Sequence, residues 1–382
     1  MDLQPHYHGK TVLVTGHSGF KGSWLCEWLL MLGARVVGIG LPPNTQPALF
    51  DQLGLADRVE HHILDIRERE ALAHRVLATE PDYIFHLAAQ PLVRLSYTEP
   101  VETYATNVMG TVHLLDALRQ LDTTYRASGK ASRRTCATVF ITTDKCYENR
   151  EWLHAYREED ALGGYDPYSS SKGAAELAIA AYRRSYFNPA NASEPPRIGI
   201  ASARAGNVIG GGDWSQDRIV PDCIRHLQRG EAIPVRNPTA TRPWQHVLEP
   251  LGGYLRLAAH QRRALETQDP TALQRTCTAY NFGPALSSNQ PVRALVEELI
   301  QHWPGQWRDQ SDPTAPHEAS LLNLAWDKAF HHLGWQPHWD FTETIKRTVT
   351  WYRQQTTGHG TPLNLTQTEI HAYNANHLTS TI

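Results

Sequence analysis

Thr11-Val-Leu-Val-Thr15 is followed directly by Gly16-His-Ser-Gly-Phe-Lys-Gly22 and then by an apolar stretch from Ser23 to Leu32. The first segment is a short β-branched run of the kind that is buried in a parallel sheet. The second is a glycine-rich turn, and the third has the composition of a helix that Gly33 ends. This order of elements lets the backbone approach a pyrophosphate, whose negative charge the helix N-terminus favours. The stretch therefore predicts a dinucleotide-binding α/β fold.

The chain continues with alternating strand and helix patterns as far as residue 203. This alternation predicts a Rossmann-type doubly wound parallel sheet. Further strands are predicted at Arg35–Ile39, Glu60–Leu64, Asp82–His86, Thr138–Ile141, Arg197–Ala203 and Tyr280–Gly283. After the sixth strand, glycine clusters, tryptophans and isolated arginines replace the alternation, which indicates a smaller C-terminal α/β substrate-binding domain. We assign residues 1–202 and 243–283 to the first domain, 203–242 and 284–356 to the second, and 357–382 to a disordered tail.

Composition excludes several classes of function. The 382 residues carry 36 basic and 39 acidic side chains, so the net charge of −3 gives no sign of a nucleic-acid or membrane surface. Five cysteines without a CxxC pair argue against a disulfide framework or a zinc site and for a reducing compartment. No apolar run is long enough to span a membrane, and the polar N-terminus lacks a signal peptide. We expect a soluble cytoplasmic protein without a bound metal.

Residues Thr142-Thr143-Asp144-Lys145 follow a predicted buried strand, and Tyr168 and Lys172 open an alanine-rich helical segment. Residues four apart on a helix lie on the same side. The pKa of a free tyrosine is near ~10, and an ammonium group held close to the phenol lowers it. We therefore predict that Tyr168 is an acid/base that Lys172 activates, with the Thr143 hydroxyl holding the substrate oxygen. A solvated helix face is the other interpretation, which the glycine turn makes less attractive.

Three more segments lie where a dinucleotide would bind. The second strand ends in Gly38-Ile-Gly-Leu-Pro42, which has neither the acid common in NAD enzymes nor an arginine for NADP. Asp65-Ile66 follows the third strand, where the aspartate either contacts adenine or caps the next helix. Small residues in Leu87-Ala88-Ala89-Gln90 would let the backbone pass close beneath a nicotinamide ribose. The sequence predicts a dinucleotide site without deciding between NAD and NADP.

Arginines in the second half of the chain are candidates for a diphosphate. Arg218, Arg236 and Arg242 are spaced too widely for a surface charge run, and any of them could bind phosphate oxygens bidentately. For a single arginine, an ion pair at the surface or between domains is the better interpretation. Arg242-Pro-Trp-Gln-His246 is the strongest candidate because a predicted helix follows it.

Together these motifs resemble the extended short-chain dehydrogenase/reductase family that acts on nucleotide sugars, over Lys10 to about Trp351. The glycine turn and the Tyr-Lys pair are general to that family, whereas other runs are more specific. The matching stretches are Thr15–Trp24, Phe85–Tyr97, Thr143-Asp-Lys-Cys-Tyr-Glu-Asn-Arg-Glu-Trp152, Leu162–Lys172, Ala203-Arg-Ala-Gly-Asn-Val-Ile-Gly-Gly-Gly-Asp-Trp214, Arg236-Asn-Pro238 and Arg242-Pro-Trp-Gln-His-Val247.

The resemblance implies NAD as cofactor and a set of residues around it. The residues implied for the cofactor are Gly16, Gly19, Phe20, Lys21, Gly22, Asp65, Ile66, Leu87, Ala88, Ala89, Gln90, Thr106, Tyr168 and Lys172. Asn207 and Arg242, with Arg218 less securely, are implied as contacts to the substrate diphosphate. The resemblance also implies a homodimer in which helices near 107–120 and 168–185 form a four-helix bundle, with a tetramer as a second option.

Within this family the chain is most similar to the branch that acts on CDP-glucose. The resemblance then implies oxidation at C-4, loss of water across C-5 and C-6, and hydride return to C-6, which gives CDP-4-keto-6-deoxyglucose. Thr143, Tyr168 and Lys172 would serve the oxidation. Asp144 would protonate the leaving C-6 hydroxyl while Lys145 removes the C-5 proton, although Lys145 could instead be a cation that orients the substrate.

Other functions remain open at this point. A UDP-N-acetylglucosamine 4,6-dehydratase also uses an Asp-Lys pair, and a dTDP-glucose 4,6-dehydratase is a related choice. A nucleotide-sugar 4-epimerase would leave Asp144 and Lys145 without a role. A non-catalytic regulator with this fold is disfavoured because Thr143, Tyr168 and Lys172 are all present.

Overall fold

The computed structural model describes residues 1–127, 134–191, 196–311 and 321–379. Strands and helices alternate along the chain as the sequence predicts. The strands are β1 Thr11–Thr15, β2 Arg35–Gly40, β3 Glu60–Ile63, β4 Tyr83–His86, β5 Cys136–Ile141, β6 Ile198–Ala205, β7 Val208–Ile209, β8 Ile233–Val235, β9 Thr241–Pro243, β10 Gln245–His246, β11 Ala279–Phe282, β12 Asn289–Pro291 and β13 Trp307–Asp309.

The helices flank the main sheet or lie in the C-terminal part. They are α1 Gln4–Tyr7, α2 Phe20–Met31, α3 Leu49–Gln52, α4 Arg69–Thr79, α5 Val93–Thr98, α6 Pro100–Tyr104, α7 Gly110–Ala127, α8 Pro167–Ser185, α9 Ile219–Arg229, α10 Leu248–Thr267, α11 Pro270–Thr276, α12 Val292–His302, α13 Asp327–Leu333, α14 Phe341–Thr356 and α15 Pro362–Thr379. A π-helical turn, Ala105–Met109, joins α6 to α7. None of the helices in these described ranges has both the length and the apolar content needed to cross a bilayer.

Seven parallel strands form the main sheet in the order β3-β2-β1-β4-β5-β6-β11. The strand order reverses between β1 and β4, where Val12 pairs with Tyr83 and Thr15 with His86. In open parallel sheets, ligands bind beyond the carboxyl ends of the strands at such a reversal. The predicted Rossmann-type sheet is confirmed, and its topology places a binding crevice beside the glycine turn.

Two apolar layers cover the sheet. One contains α4, α7 and α8, whose buried side chains include Leu72, Leu118 and Ile179. The other is larger and contains α2, α10, α14 and α15. Helix α2 is buried around most of its circumference because the sheet lies on one side of it and α15 on another.

Three small two-stranded sheets lie outside the main sheet, and they pair β10 with β7, β12 with β9, and β13 with β8. The last two join the segments 203–242 and 284–356, which the sequence assigns to one domain. The division into two domains itself stays a prediction.

The prediction of a disordered tail from residue 357 is wrong for most of that segment. Helix α15 occupies it, and Ile370 and Tyr373 are fully buried. The Tyr373 ring contacts Trp28 edge-on, with 5.6 Å between the ring centroids, and its hydroxyl donates to Glu249 Oε2 at 2.8 Å. Because these partners belong to α2 and α10, the polar sequence of the tail gave no sign of them. Residues 380–382 lie outside the described residues.

Replacing Tyr373 with alanine should lower the free energy of unfolding by about 3–5 kcal/mol, because a buried aromatic side chain leaves a cavity. Urea unfolding followed by circular dichroism measures this change. The exposed His371 on the same helix supplies the matched control, and His371→Ala should change stability by less than about 0.5 kcal/mol. Equal effects of the two substitutions would contradict a packed C-terminal helix.

Candidate active site

Thr143, Asp144 and Lys145 lie immediately beyond the carboxyl end of β5, at the edge of the sheet where the crevice opens. A 3-10 turn, Asp144–Cys146, follows the strand, and Thr143 Oγ1 accepts a hydrogen bond from Lys145 N at 3.3 Å. The same hydroxyl donates to Asp144 Oδ1 at 2.9 Å. Asp144 is only 2% exposed, and burial raises the pKa of its carboxyl, although the charge of Lys145 opposes this shift. The turn therefore presents a carboxyl group that holds a proton more readily than an exposed aspartate.

Tyr168 and Lys172 lie in the first two turns of α8. Pro167 begins the helix, and the Asp166 carboxylate caps it by accepting from Ser169 N at 2.9 Å. Both side chains are buried, and the helix packs on the turn that carries Asp144. The structure thus brings Thr143, Asp144, Tyr168 and Lys172 together, as the sequence predicts.

Burial acts on the protonation of both Tyr168 and Lys172. It raises the pKa of Tyr168 to about 12, while a hydrogen bond with Thr143 acts in the opposite direction. It lowers the pKa of Lys172 to about 8. Burial thus opposes the charged form of each side chain, and the activation of the phenol by Lys172 stays a prediction.

The β1–α2 turn has the shape that a pyrophosphate needs. Gly16 has a φ of +73°, and a Cβ atom there would lie 2.6 Å from the backbone nitrogen of Ala88. A Cβ at Gly22 would overlap the Gly16 carbonyl oxygen. Gly19 caps α2 without a side-chain hydrogen bond, so the N–H groups of the first turn keep their bonding capacity for a ligand. The turn fits a dinucleotide and excludes side chains from it.

Lys21 lies in the first turn of α2, close enough to Asp144 and Lys172 for their charges to act on it. Its Nζ lies 6.0 Å from the centroid of the Tyr254 ring. Burial lowers the pKa of Lys21 to about 8, with Arg218 and Lys172 acting in the same direction and Asp144 opposing them. The crevice therefore gathers positive charge around the buried carboxyl of Asp144, an arrangement that favours phosphorylated ligands.

The His17 ring lies against the end of β2, the strand end at which many NAD enzymes carry an acidic residue. A Cβ at Gly38 would overlap the His17 ring, and one at Gly40 would lie 3.3 Å from His17 Nδ1. His17 Nε2 also lies 2.7 Å from His61 Nδ1 on β3. The sequence analysis did not assign a role to His17, although its position inside the glycine turn was a usable signal.

The remaining candidate cofactor residues line the ends of β3 and β4. The Asp65 carboxylate accepts from Arg67 N at 2.9 Å in a turn before α4, so it does not cap that helix. Ile66 is buried against Gly110. Leu87, Ala88, Ala89 and Gln90 follow β4, where Gln90 N donates to Asn107 Oδ1 at 2.8 Å. Thr106 lies in the adjacent π-helical turn.

The arginines proposed for a diphosphate have different environments. Arg218 donates to the buried Asp213 carboxylate at 2.9 Å. Its positive charge also acts to lower the pKa of Tyr168, against the larger effect of burial. Arg242 lies on β9, half-buried, and its charge acts on Asp144. Arg236 instead donates to Asp217 at 2.7 Å in an exposed ion pair, and it also contacts Asp222 at 3.3 Å. Asn207 follows β6 and is half-buried.

Two further features of the site were missed from the sequence. A Cβ at Gly206 would lie 2.8 Å from Asp144 Oδ2, so this glycine makes room for the carboxyl group. Glu176, one turn beyond Lys172, forms a buried ion pair with Arg204 on β6 at 2.8 Å. The four-residue spacing after Lys172 was the available signal for Glu176.

Comparisons with known proteins agree with this arrangement. A family model described as GDP-mannose 4,6 dehydratase matches residues 13–348. A CDP-glucose 4,6-dehydratase of Salmonella typhimurium is 47% identical over 349 residues, which cover 91% of each chain. A dTDP-glucose 4,6-dehydratase of Streptomyces antibioticus is 29% identical over 90% of this chain and 92% of the relative.

Solved structures share the fold at lower identity. The dTDP-glucose 4,6-dehydratase DesIV of Streptomyces venezuelae, with NAD bound, superposes with a TM-score of 0.71 at 23% identity over 92% of this chain and 99% of that one. A UDP-glucose 4-epimerase of Thermotoga maritima gives 0.71 at 20% identity, over 90% and 99% of the two chains. On the extent of the family match and of the Salmonella relative, the chain belongs to the GDP-mannose 4,6-dehydratase family of proteins.

Proposed function

We propose that the chain is an NAD-dependent hydro-lyase that converts CDP-glucose to CDP-4-keto-6-deoxyglucose and water. The observation that carries the proposal is the buried Asp144, which stands with Lys145 beside Thr143, Tyr168 and Lys172. Three of these residues suffice for an oxidation, and the Asp-Lys pair supplies the extra acid and base that a dehydration needs. The 47% identity to the Salmonella CDP-glucose 4,6-dehydratase supports the choice of substrate.

The glycine turn and the segments after β3 and β4 fit NAD. Gly16, Gly19 and Gly22 would hold the pyrophosphate at the α2 N-terminus, and Phe20 and Lys21 would flank it. Asp65 and Ile66 would contact adenosine; Leu87, Ala88, Ala89, Gln90 and Thr106 would line the nicotinamide ribose. When bound, NAD would supply a hydride acceptor at C-4 of the sugar and a hydride donor at C-6.

Tyr168 takes the proton of the C-4 hydroxyl, and Thr143 holds that oxygen by a hydrogen bond. Burial raises the pKa of Tyr168 to about 12, although a hydrogen bond with Thr143 opposes the shift. The phenolate therefore needs a positive charge close by, which the ammonium group of Lys172 would supply. Lys172 and Tyr168 also lie where the nicotinamide ribose would contact them.

Elimination needs an acid at O-6 and a base at C-5. The raised pKa of Asp144 keeps its carboxyl protonated closer to neutral pH, which suits a group that protonates the leaving hydroxyl. The C-4 ketone acidifies the C-5 hydrogen, and Lys145 is positioned on the same turn to remove it. The alternative role of Lys145, a cation that orients the sugar, remains the second interpretation.

Positive side chains at the crevice would bind the substrate diphosphate. Arg242 and Asn207 lie on the segments that follow β6 and form β9, with Arg218 on the same side near Tyr168. A guanidinium group can bind two phosphate oxygens at once. Release of Arg218 from Asp213 would free it for this contact.

The alternative substrates and reactions are less well supported. The dTDP-glucose 4,6-dehydratase relatives share less of the sequence, at 29% identity or below in the comparisons above. A 4-epimerase shares the fold but would leave the buried Asp144 without a function. A UDP-N-acetylglucosamine 4,6-dehydratase remains the alternative that uses the same acid and base.

We further propose a cytoplasmic homodimer, with a tetramer as the second option. Helices α7 and α8 pack side by side, and apolar side chains of this region stay exposed in the single chain. They are Val101, Tyr104, Met109, Leu177 and Tyr186. A second copy could cover them by forming a four-helix bundle. All five cysteines are unpaired and buried, which fits a reducing compartment.

A substrate panel tests the function directly. Purified protein with NAD is incubated with CDP-, dTDP-, UDP- and GDP-glucose and UDP-N-acetylglucosamine, and the products are analysed by mass spectrometry. We expect loss of water from CDP-glucose at the highest rate. Water loss from another donor would replace the substrate but keep the reaction, and epimer formation without water loss would contradict the assigned roles of Asp144 and Lys145.

Asp144→Asn should slow water loss by about 10²–10⁴-fold, because an amide cannot protonate the leaving hydroxyl. CDP-glucose binding, measured by calorimetry, should stay close to the wild-type value. Asp340→Asn at the N-cap of α14 is the matched control and should keep wild-type turnover, since asparagine caps a helix as well as aspartate does. Wild-type turnover in Asp144→Asn would rule out Asp144 as the acid.

Gly16→Ala should abolish NAD binding in a calorimetric titration, because the added Cβ would press on the Ala88 backbone. Gly9→Ala is the control for backbone strain, since Gly9 has a similar φ of +69° but no atom within 4 Å of the added Cβ. NAD binding should survive in that variant. Equal losses in both variants would mean that strain, rather than the close approach of the turn, causes the effect.

A further inference from the structure

Three buried side chains follow one another at four-residue intervals along α8: Tyr168, Lys172 and Glu176. Residues at this spacing form one line along a helix. The proposed reaction uses the first two and gives no role to the third. Glu176 is only 3% exposed. Burying a carboxylate without partners costs free energy, so the groups around Glu176 indicate its role.

Side chains from β6 and from the residue after β5 hold the Glu176 carboxylate by hydrogen bonds. Oε1 accepts from Thr142 Oγ1 at 2.5 Å, and Oε2 accepts from Ser202 Oγ and from Arg204 Nη2, both at 2.8 Å. Thr142 directly precedes Thr143 at the end of β5. The carboxylate thus ties α8 to the ends of β5 and β6, next to the catalytic turn.

Arg204 is itself held in place on the far side of Glu176. Its Nη1 donates to the Tyr147 hydroxyl at 2.7 Å and to the Glu158 carbonyl oxygen at 3.0 Å. Burial opposes the ionisation of Glu176, but Arg204 outweighs it and the pKa of Glu176 is lowered. Glu176 is therefore an anion with a fixed orientation.

The groups that face Lys172 come from several elements. On α8 itself, Glu176 raises the pKa of Lys172, as does Cys146 from the 3-10 turn, against the larger effect of burial. Lys21 on α2 and His86 on β4 are also close enough for the charge of Lys172 to lower their pKa values. Burial lowers the pKa of His86 to about 3, so its ring is neutral. Glu176 is thus the carboxylate that stabilises a charged Lys172 in this group.

We propose that Glu176 is a positioning residue that keeps Lys172 charged beside Tyr168, with Arg204 holding Glu176 in the ionised form. The proposal rests on the proposed function, because the charge of Lys172 matters through the phenol that it supports. Glu176 and Arg204 are hydrogen-bonded to the protein's own side chains, so in this proposal both act through Lys172.

Glu176→Gln keeps the shape of the side chain and removes its charge. The pKa of Lys172 should then fall by about one unit or more, the effect of losing a neighbouring opposite charge. Activity requires the ammonium form, so the alkaline limb of the profile of kcat/KM against pH should move to lower pH by the same amount. Glu176→Asp should restore the limb in part, because it restores the charge.

Two further variants separate charge from structure. Ser202→Ala removes one hydrogen bond from Glu176 but leaves its charge, and the alkaline limb should stay in place. Glu176→Gln/Arg204→Met removes both charges, which avoids leaving a buried unpaired arginine that could unfold the single variant. The limb should shift in this double variant as well.

The titration of Lys172 can be followed without any substrate. In protein labelled with ¹³C at lysine Cε, the Lys172 signal is identified by its loss in Lys172→Arg, and its midpoint is measured in each variant. A lower midpoint in Glu176→Gln and in Glu176→Gln/Arg204→Met would support the proposal even if no sugar in the panel lost water. An unchanged midpoint with only a lower melting temperature would overturn it and leave Glu176 a structural residue.

Discussion

Burial of charge at the ends of parallel strands is the constraint on which the rest of the site depends. Strands β1, β4, β5 and β6 end side by side, and the polar residues that follow them share one small volume. An ionised group in such a place must be paired or change its protonation. Arg218 is paired with Asp213 and Arg204 with Glu176, while Asp144, Lys172 and Lys21 respond by shifted pKa values. Recognition of phosphate and acid/base chemistry thus arise from one electrostatic environment.

Local sequence predicted much of this molecule. The strand, glycine turn and helix at Thr11–Leu32 gave the fold, because each of these signals lies within a few residues of the next. The Tyr168–Lys172 spacing gave their common helix face for the same reason. The seven parallel strands of the main sheet also agree with the predicted doubly wound sheet, since alternating strand and helix patterns favour parallel pairing.

What the sequence did not predict depends on contacts between distant segments. Gly206 matters because Asp144, more than sixty positions earlier in the chain, lies against it. Gly38 and Gly40 in β2 are explained only by the His17 ring, which lies against both of them. The protonation of Tyr168 is likewise a property of the assembled site, because burial raises the pKa of the phenol while the hydrogen bond with Thr143 opposes this shift. Neither residue spacing nor composition contains this information.

The position of α15 has a consequence for how the protein is made. This helix covers α2, which belongs to the first βα unit and is apolar on nearly all sides. During synthesis the ribosome releases α2 more than three hundred residues before α15. The apolar surface of α2 therefore stays uncovered until α15 has been translated. During that time it is a target for chaperones that bind exposed hydrophobic surface.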